Sequence, residues 1–147
     1  MGRECDFLIL HPRYGLLVLE AKSGAPRYDG KLGKWNFDSG RPTADPFIQA
    51  QQAMHFLVDH LARHSPTWPE AALPYGYAVA FPDARSIMGD LRPDMSVDLF
   101  ILEPDLDQIQ AKLIRLLNRF KQPQAMGNPE AISDALKVLQ PTFALVP

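Results

Sequence analysis

The stretch that decides the fold is residues 5–23, CDFLILHPRYGLLVLEAKS. Two apolar runs, Phe7–Leu10 and Leu16–Leu19, flank a segment in which Pro12 and Gly15 indicate a turn. Runs of this length that are rich in Leu, Ile and Val predict the two strands of a β-hairpin. Both faces of this ribbon are largely apolar, which predicts a strand pair that is covered on both sides.

The charged residues of the ribbon outside its turn are Asp6, Glu20 and Lys22. If residues 12–14 form a three-residue loop, Asp6 directly faces Glu20, whereas a two-residue loop puts the two residues on a diagonal. Because strand side chains alternate between faces, Glu20 and Lys22 share a face. The spacing therefore predicts that the three charges converge on one patch.

Two carboxylates held this close on an apolar sheet repel each other unless a proton or a cation relieves the repulsion. Proteins hold Mg²⁺ by one or two carboxylates together with water and phosphate oxygens. A lysine beside such a metal can bind a phosphate oxygen. Two carboxylates and a lysine are therefore the groups that metal-assisted phosphodiester hydrolysis needs. The alternative is an ordinary hairpin with solvated ends, in which Glu4 pairs with Lys22; spacing alone does not separate the two.

The following segments predict an α/β pattern. Residues Lys34–Phe37 predict a third strand that continues the hairpin as a meander. Apolar residues at helical spacing predict a helix over residues 46–63, with a proline at its first position. Tyr75–Phe81 predicts a buried strand, which a right-handed crossover would place parallel to part of the meander.

The second half of the chain predicts packing elements without chemistry. Val97–Leu102 predicts a fifth strand, and helices are predicted from Pro104 to about Lys121 and from Asn128 or Pro129 to about Leu139. We interpret residues 104–147 as a C-terminal helical packing segment of one domain that spans residues 1–147. The predicted fold class is α/β, a mixed β-sheet with helices on both faces.

Composition narrows the class of protein. A chain of 147 residues is long enough for one domain with a core. Its net charge of −2 is not the overall signature of a nucleic-acid binder. The single cysteine, Cys5, excludes an intramolecular disulfide and suits a cytoplasmic protein. No apolar run approaches 18 residues, so we expect no membrane span.

Four motifs follow one another in the first third of the chain: Glu4-Cys5-Asp6, Glu20-Ala21-Lys22 after an apolar strand, Lys34-Trp35, and the helix start Asp45-Pro46-Phe47-Ile48-Gln49. A lone Glu-x-Lys is a weak signal, but the four in this order are fairly specific. Together they resemble the nuclease-related domain, NERD, of the PD-(D/E)XK nuclease superfamily. Residues 78–83, AVAFPD, also resemble the version of this domain that precedes helicase domains.

The resemblance implies a restriction-endonuclease-like fold and a metal-dependent nuclease that hydrolyses DNA in DNA processing or repair. It implies that Asp6, Glu20 and the Ala21 carbonyl hold Mg²⁺ or Mn²⁺, that Lys22 stabilises charge or positions water, and that Gln49 helps to orient the water. It also implies DNA as a partner, with a helicase or ATPase domain in the same or another chain. The alternative is a catalytically inactive nuclease-like module that binds nucleic acid or a partner protein, with Gln49 an ordinary surface residue.

One departure from the superfamily concerns the start of the chain. PD-(D/E)XK enzymes usually have a helix before the Asp strand, often with a further acidic residue, but only five residues precede Asp6 here. We therefore expect a fragment of a longer protein or an N-terminally shortened relative. Activity of this chain alone and the number of metal ions stay open at this point.

Overall fold

The computed structural model describes residues 5–37, 44–65, 67–68, 74–121 and 129–139. The strands are β1 (Phe7–His11), β2 (Gly15–Ala21), β3 (Arg27–Asp29), β4 (Lys34–Asn36), β5 (Tyr75–Phe81), β6 (Met88–Gly89) and β7 (Phe100–Leu102). The helices are α1 (Pro46–His64), α2 (Ile109–Arg119) and α3 (Pro129–Leu139). The main sheet has the order β1-β2-β5-β7. Strand β1 is antiparallel to β2, while β2, β5 and β7 are parallel, so the predicted α/β class with a mixed sheet is confirmed.

The hairpin has the register of a three-residue loop. His11 lies opposite Gly15 and Phe7 opposite Leu19. Gly15 adopts a φ of 105°, which favours glycine, and a Cβ at this position would overlap the Pro74 carbonyl. The turn therefore fixes the register, and the register places position 6 across from position 20.

Strand β2 is the centre of the domain, and its alternate side chains enter two different apolar clusters. Leu16 and Val18 pack with residues of α1 and α3, whereas Leu17 and Leu19 belong to the cluster that contains α2. Helices thus cover both faces, as predicted. The expectation that both hairpin strands are covered is correct for β2 only. Strand β1 is at an edge of the sheet, and its Phe7 is 58% exposed.

The prediction that the hairpin continues as a three-strand meander is wrong. Strand β4 exists, but it pairs with β3 in a second, three-stranded sheet of order β4-β3-β6. The reason is that the free edge of β2 is taken by β5, with Leu16 opposite Tyr75 and Ala21 opposite Ala80. Trp35 of β4 packs instead on the aromatic rings of Phe81 and Phe100.

Strands β2 and β5 are parallel, as predicted for a connection through α1. Helix α1 begins after Asp45, whose side chain accepts from the Phe47 N–H. The ring of Phe47 lies 6.1 Å from that of Phe100, and Phe100 is opposite Val79, which is opposite Glu20. The start of α1 therefore lies toward the carboxyl end of β2.

The fifth strand and the second helix are shorter than predicted, whereas α3 has the predicted bounds Pro129–Leu139. Residues Val97–Leu99 form a 3₁₀ turn, so the fifth strand of the prediction is only Phe100–Leu102. The predicted helix from Pro104 opens as a 3₁₀ segment over Glu103–Gln108, in which Asp105 accepts from the Leu102 N–H, and the α-helix begins at Ile109. The alternative start of α3 at Asn128 lies outside the described residues. In the part of the chain described here, no helix has the length and apolar character needed to cross a membrane.

Candidate metal and active site

Asp6 directly precedes β1, which begins at Phe7, so the predicted acidic residue lies just outside the strand. Its Oδ2 accepts a hydrogen bond of 2.8 Å from the backbone N–H of Ala21. In a regular antiparallel ladder this N–H would pair with the backbone of residue 5. The Asp6 carboxylate therefore replaces a ladder acceptor and joins the start of β1 to the end of β2.

The Ala21 carbonyl is directed toward the same edge as Asp6. The N–H and C=O of one residue in an extended strand point to the same side. The next residue confirms this alternation, because the Lys22 N–H points the other way and donates to the Ala80 carbonyl at 3.0 Å. The Ala21 carbonyl and the Asp6 carboxylate therefore lie on the same side of β2.

Glu20 is the most unusual acid of the described residues, since it is only 7% exposed. Burial is the main cause that raises its pKa above the ordinary value, and the charge of Asp6 and a hydrogen-bonding contact between the two carboxyl groups raise it further. Lys22 acts in the opposite direction but does not cancel these effects. The two carboxyl groups are thus close enough to disfavour the doubly ionised pair.

The Lys22 ammonium lies 3.8 Å from Glu20 Oε1, which is an ion pair without a short hydrogen bond. Its side chain is 29% exposed, so the ammonium reaches solvent as well as Glu20. The other pairing considered from the sequence, Glu4 with Lys22, involves a residue outside the described ones. Asp6, Glu20, Ala21 and Lys22 are therefore brought together at one end of β2.

Gln49 lies in the first turns of α1, the part of that helix that is close to the carboxyl end of β2. Its side-chain Oε1 is buried and accepts no hydrogen bond from any described residue. Leaving such an oxygen unpaired costs about 1–3 kcal/mol. A donor from outside the described residues, such as a water molecule, would remove this cost by donating a hydrogen bond to Gln49 Oε1. Gln49 is brought to the same end of the sheet but bonds to none of the other three side chains through Oε1.

The donor set fits a hard divalent cation. Two carboxylates and one backbone carbonyl are all-oxygen ligands, which suit Mg²⁺ or Mn²⁺ rather than a softer metal. Among the residues that the structure describes, no three Asp, Glu, His or Cys side chains converge. Two carboxylates and one carbonyl would fill only part of the coordination of Mg²⁺, which prefers to keep water and phosphate oxygens as its other ligands. Burial and the charges of Glu20 and Asp6 raise the pKa of the Cys5 thiol, which disfavours a thiolate ligand here.

Two supporting contacts were not predicted from the sequence. Asp83 Oδ2 accepts from the Gly24 N–H at 3.2 Å and so holds the segment that follows Lys22. Arg92 donates to the Tyr28 hydroxyl at 3.2 Å and pairs with Asp45 at 3.5 Å. The position of Asp83 directly after a strand and a proline was a signal for the first contact, whereas no local pattern indicates the second.

The fold and the paired carboxylates define a nuclease-like α/β domain. A comparison with protein-family models matches residues 2–82 to the nuclease-related domain, NERD. Because this match covers more than half of the 147 residues, the chain belongs to the nuclease-related domain family, within the PD-(D/E)XK superfamily. A search of curated proteins and a search of solved structures found no significant match. All the candidate residues from Asp6 to Gln49 lie inside the matched range, while α2 and α3 lie outside it.

Proposed function

We propose that this protein is a metal-dependent nuclease that hydrolyses DNA phosphodiester bonds in DNA processing or repair. The observation that carries the proposal is the pair of opposed carboxyl groups, Asp6 and Glu20, beside Lys22 at the end of a buried strand. A cation would relieve the repulsion that raises the pKa of Glu20. Membership of a nuclease-related family supports hydrolysis of nucleic acid as the chemistry.

In this proposal Asp6, Glu20 and the Ala21 carbonyl hold one Mg²⁺ or Mn²⁺. When bound, the metal supplies Lewis-acid polarisation of the scissile phosphate and acidifies water. The Asp6 carboxylate keeps one oxygen on the Ala21 N–H, which leaves its other oxygen for the metal. Burial of Glu20 excludes competing water from its carboxylate, which strengthens its attraction to a cation.

Lys22 and Gln49 would act on the substrate. The Lys22 ammonium has three donors, and its loose contact with Glu20 leaves donors for a phosphate oxygen or an attacking water. The unpartnered Oε1 of Gln49 would accept a hydrogen bond from that water and orient it. Asp83 would keep Lys22 in place through the segment that it anchors at Gly24.

The rival function is a catalytically inactive module that binds nucleic acid or a partner protein. It is favoured by the finding that only two acidic side chains, rather than three, converge among the described residues. Such a module would bind DNA equally well with and without Mg²⁺, and Glu20→Gln would leave that binding unchanged. A nuclease would instead show DNA binding that Mg²⁺ strengthens in the wild type but not in Glu20→Gln.

We also propose that residues 1–147 form one domain, with residues 104–147 as its C-terminal packing segment. Leu116 and Leu117 of α2 share a core cluster with β2, and α3 shares the other cluster with α1, which supports this view. DNA is the proposed partner, with a helicase or ATPase domain acting on the same substrate. The single Cys5 suits work in a reducing cytoplasm.

A cleavage assay on plasmid and single-stranded DNA tests the proposal, with any upstream coding sequence included in the protein. We expect Mg²⁺-dependent cleavage that EDTA abolishes and that Asp6→Ala and Lys22→Ala each reduce by at least about 10²-fold, since each removes a group that stabilises the transition state. Lys34→Ala, which removes an exposed lysine of β4, is the matched control and should cut at the wild-type rate. Equal rates in all four proteins would refute the catalytic assignment.

A further inference from the structure

A second charged site lies on α2, outside the range that matches the nuclease-related domain. It is a cavity of about 210 Å³ lined by Asp98, Lys112, Arg115, Leu116 and Arg119. None of these residues belongs to the proposed metal site. The sequence predicts α2 as a packing helix, and its buried Leu116 and Leu117 do pack in the core. Leu116 also borders the cavity, beside the basic residues of the helix.

The positive charge of this cavity comes from one helix face. Lys112, Arg115 and Arg119 are spaced three and four residues apart, so their side chains are neighbours on the helix surface. Helix α2 has no acidic residue, although the chain as a whole has a net charge of −2. Like charges at these spacings destabilise a helix, and a bound anion would remove that cost.

The protein's own acids neutralise only part of this charge. Lys112 pairs with Asp105 at 3.9 Å, and Arg119 pairs with Asp98 at 3.5 Å. Arg115 lies between them and forms no ion pair or hydrogen bond with any residue that the structure describes. Its guanidinium is therefore the positive group of the cavity wall that no described acid offsets.

A structural role explains the outer two cations but not the middle one. Arg119 is in the last turn of α2, where a positive charge favours the helix dipole, and Lys112 has an acidic partner. Arg115 is one turn further from the helix end, where the helix dipole favours a positive charge less, and it has no acidic partner among the described residues. Leu116 adds an apolar wall, which strengthens electrostatic attraction beside it.

The size of the cavity limits the ligand. Pockets for drug-sized molecules have roughly 300–1,000 Å³. At about 210 Å³ the cavity is too small for such a molecule but large enough for a tetrahedral anion with some water. The planar fork of a guanidinium matches two oxygens of a phosphate group.

We propose that this cavity is a binding site for a phosphate group, held by Arg115 with help from Lys112 and Arg119. Asp98 is 77% exposed on its side chain, so it can turn into solvent when the anion pairs with Arg119. The inference goes beyond the proposed nuclease function and does not depend on it. The phosphate would come either from a free phosphate ion or from a nucleic acid.

The test is a titration of the ¹⁵N-labelled protein with inorganic phosphate, followed by two-dimensional NMR at constant ionic strength and with EDTA present. We expect saturable shifts of the amide signals of α2 and Asp98. Arg115→Gln should weaken this binding about tenfold, the loss expected for one charge-assisted hydrogen-bonded pair at a solvent-accessible site. Arg63→Gln, which removes an exposed arginine in the last turn of α1, is the matched control and should bind as the wild type does.

Shifts that do not saturate, or equal affinity in Arg115→Gln and Arg63→Gln, would overturn the proposal. A second pair of titrations identifies the source of the phosphate once the ion has bound. An oligonucleotide with a 5′-phosphate that displaces the ion, when the same strand with a 5′-hydroxyl does not, supports a nucleic-acid end as the ligand. Failure of both strands to displace the ion supports free phosphate.

Discussion

Asp45 at the start of α1 and Glu20 at the end of β2 are both shielded carboxylates, but their surroundings are opposite. Asp45 Oδ1 accepts from the Phe47 N–H at 2.9 Å and from Trp35 Nε1 at 3.1 Å, and Oδ2 pairs with Arg92 at 3.5 Å. Every donor that it meets stabilises its negative charge. Asp45 therefore joins α1, the second sheet and the loop at Arg92 into one structure.

Glu20 is more deeply buried than Asp45 but has poorer partners. It faces Asp6, its pKa is raised by burial and by that neighbour, and Lys22 is 3.8 Å away. A buried acid with another acid beside it costs stability, whereas a capped acid adds to it. The carboxylate that the protein satisfies therefore supports the fold, while the unsatisfied carboxylate is the place where a cation from outside would be stabilised.

The largest expected effect is on catalysis. Glu20→Gln keeps the shape of the side chain but removes the charge that the metal needs, so we expect the rate of Mg²⁺-dependent DNA cleavage to fall by about 10³-fold. Asp45→Asn keeps an N-cap residue and should retain most of the rate once the protein is folded. If steady-state assays show that Asp45→Asn lowers the rate as much as Glu20→Gln does, the distinction between a structural Asp45 and a catalytic Glu20 is wrong.

The next largest effect is on stability, and here the substitution at Asp45 should do more harm than the substitution at Glu20. Asp45→Ala removes the helix cap and leaves Trp35 and Arg92 without their acceptor, so we expect it to lower the free energy of unfolding by about 1–3 kcal/mol. Urea unfolding monitored by circular dichroism measures this loss. Asp45→Asn is the milder control, and a loss in Glu20→Gln equal to that in Asp45→Ala would show that both acids are structural.

The smallest effect depends on pH. The pKa of Glu20 is raised in the folded protein, so the folded state holds this proton more tightly than the unfolded state does. The stability linked to Glu20 is therefore complete below the ordinary carboxyl pKa and is lost as the pH rises through the raised value. In EDTA, Glu20→Gln should be more stable than the wild type at pH 7 by about 0.2–1 kcal/mol, a magnitude typical of one cross-strand side-chain pair.

This advantage of Glu20→Gln should disappear near pH 4, where the wild-type carboxyl is also neutral. Urea unfolding at the two pH values tests it. A difference that stays constant between them would mean that ionisation of Glu20 costs the fold nothing. Asp98→Asn, a change at an exposed carboxylate, controls for the general effect of removing one negative charge.

The hairpin and the nearby charges could be predicted because they depend on local signals. Pro12 and Gly15 indicate the turn, and with either loop length considered the alternation of side chains brings Asp6 near Glu20; the structure has the three-residue loop. The cap at Asp45 is equally local. The third strand itself was predicted correctly, but its pairing with the hairpin was wrong, because β5 comes from far along the chain to pair with the edge of β2.

Contacts between distant residues were also beyond sequence reasoning. Arg92 reaches Asp45, and Asp83 reaches Gly24, only because the crossover and the second sheet bring these loops together. The cavity on α2 has the same origin. Its helical spacing predicted an apolar packing face, but the basic residues that border this face became a cavity wall only when Asp98 was placed against them.

Calorimetric titration of Mn²⁺ into the metal-free protein tests the central claim, that Asp6 and Glu20 form a divalent cation site, most directly. We expect binding in the wild type and in Asp45→Asn, and loss of that binding in Asp6→Asn and in Glu20→Gln. Mn²⁺ is preferred over Mg²⁺ as the probe because divalent metals of the transition series bind such sites more tightly. Equal Mn²⁺ binding in the wild type and Glu20→Gln, or none in the folded wild type, would contradict the claim.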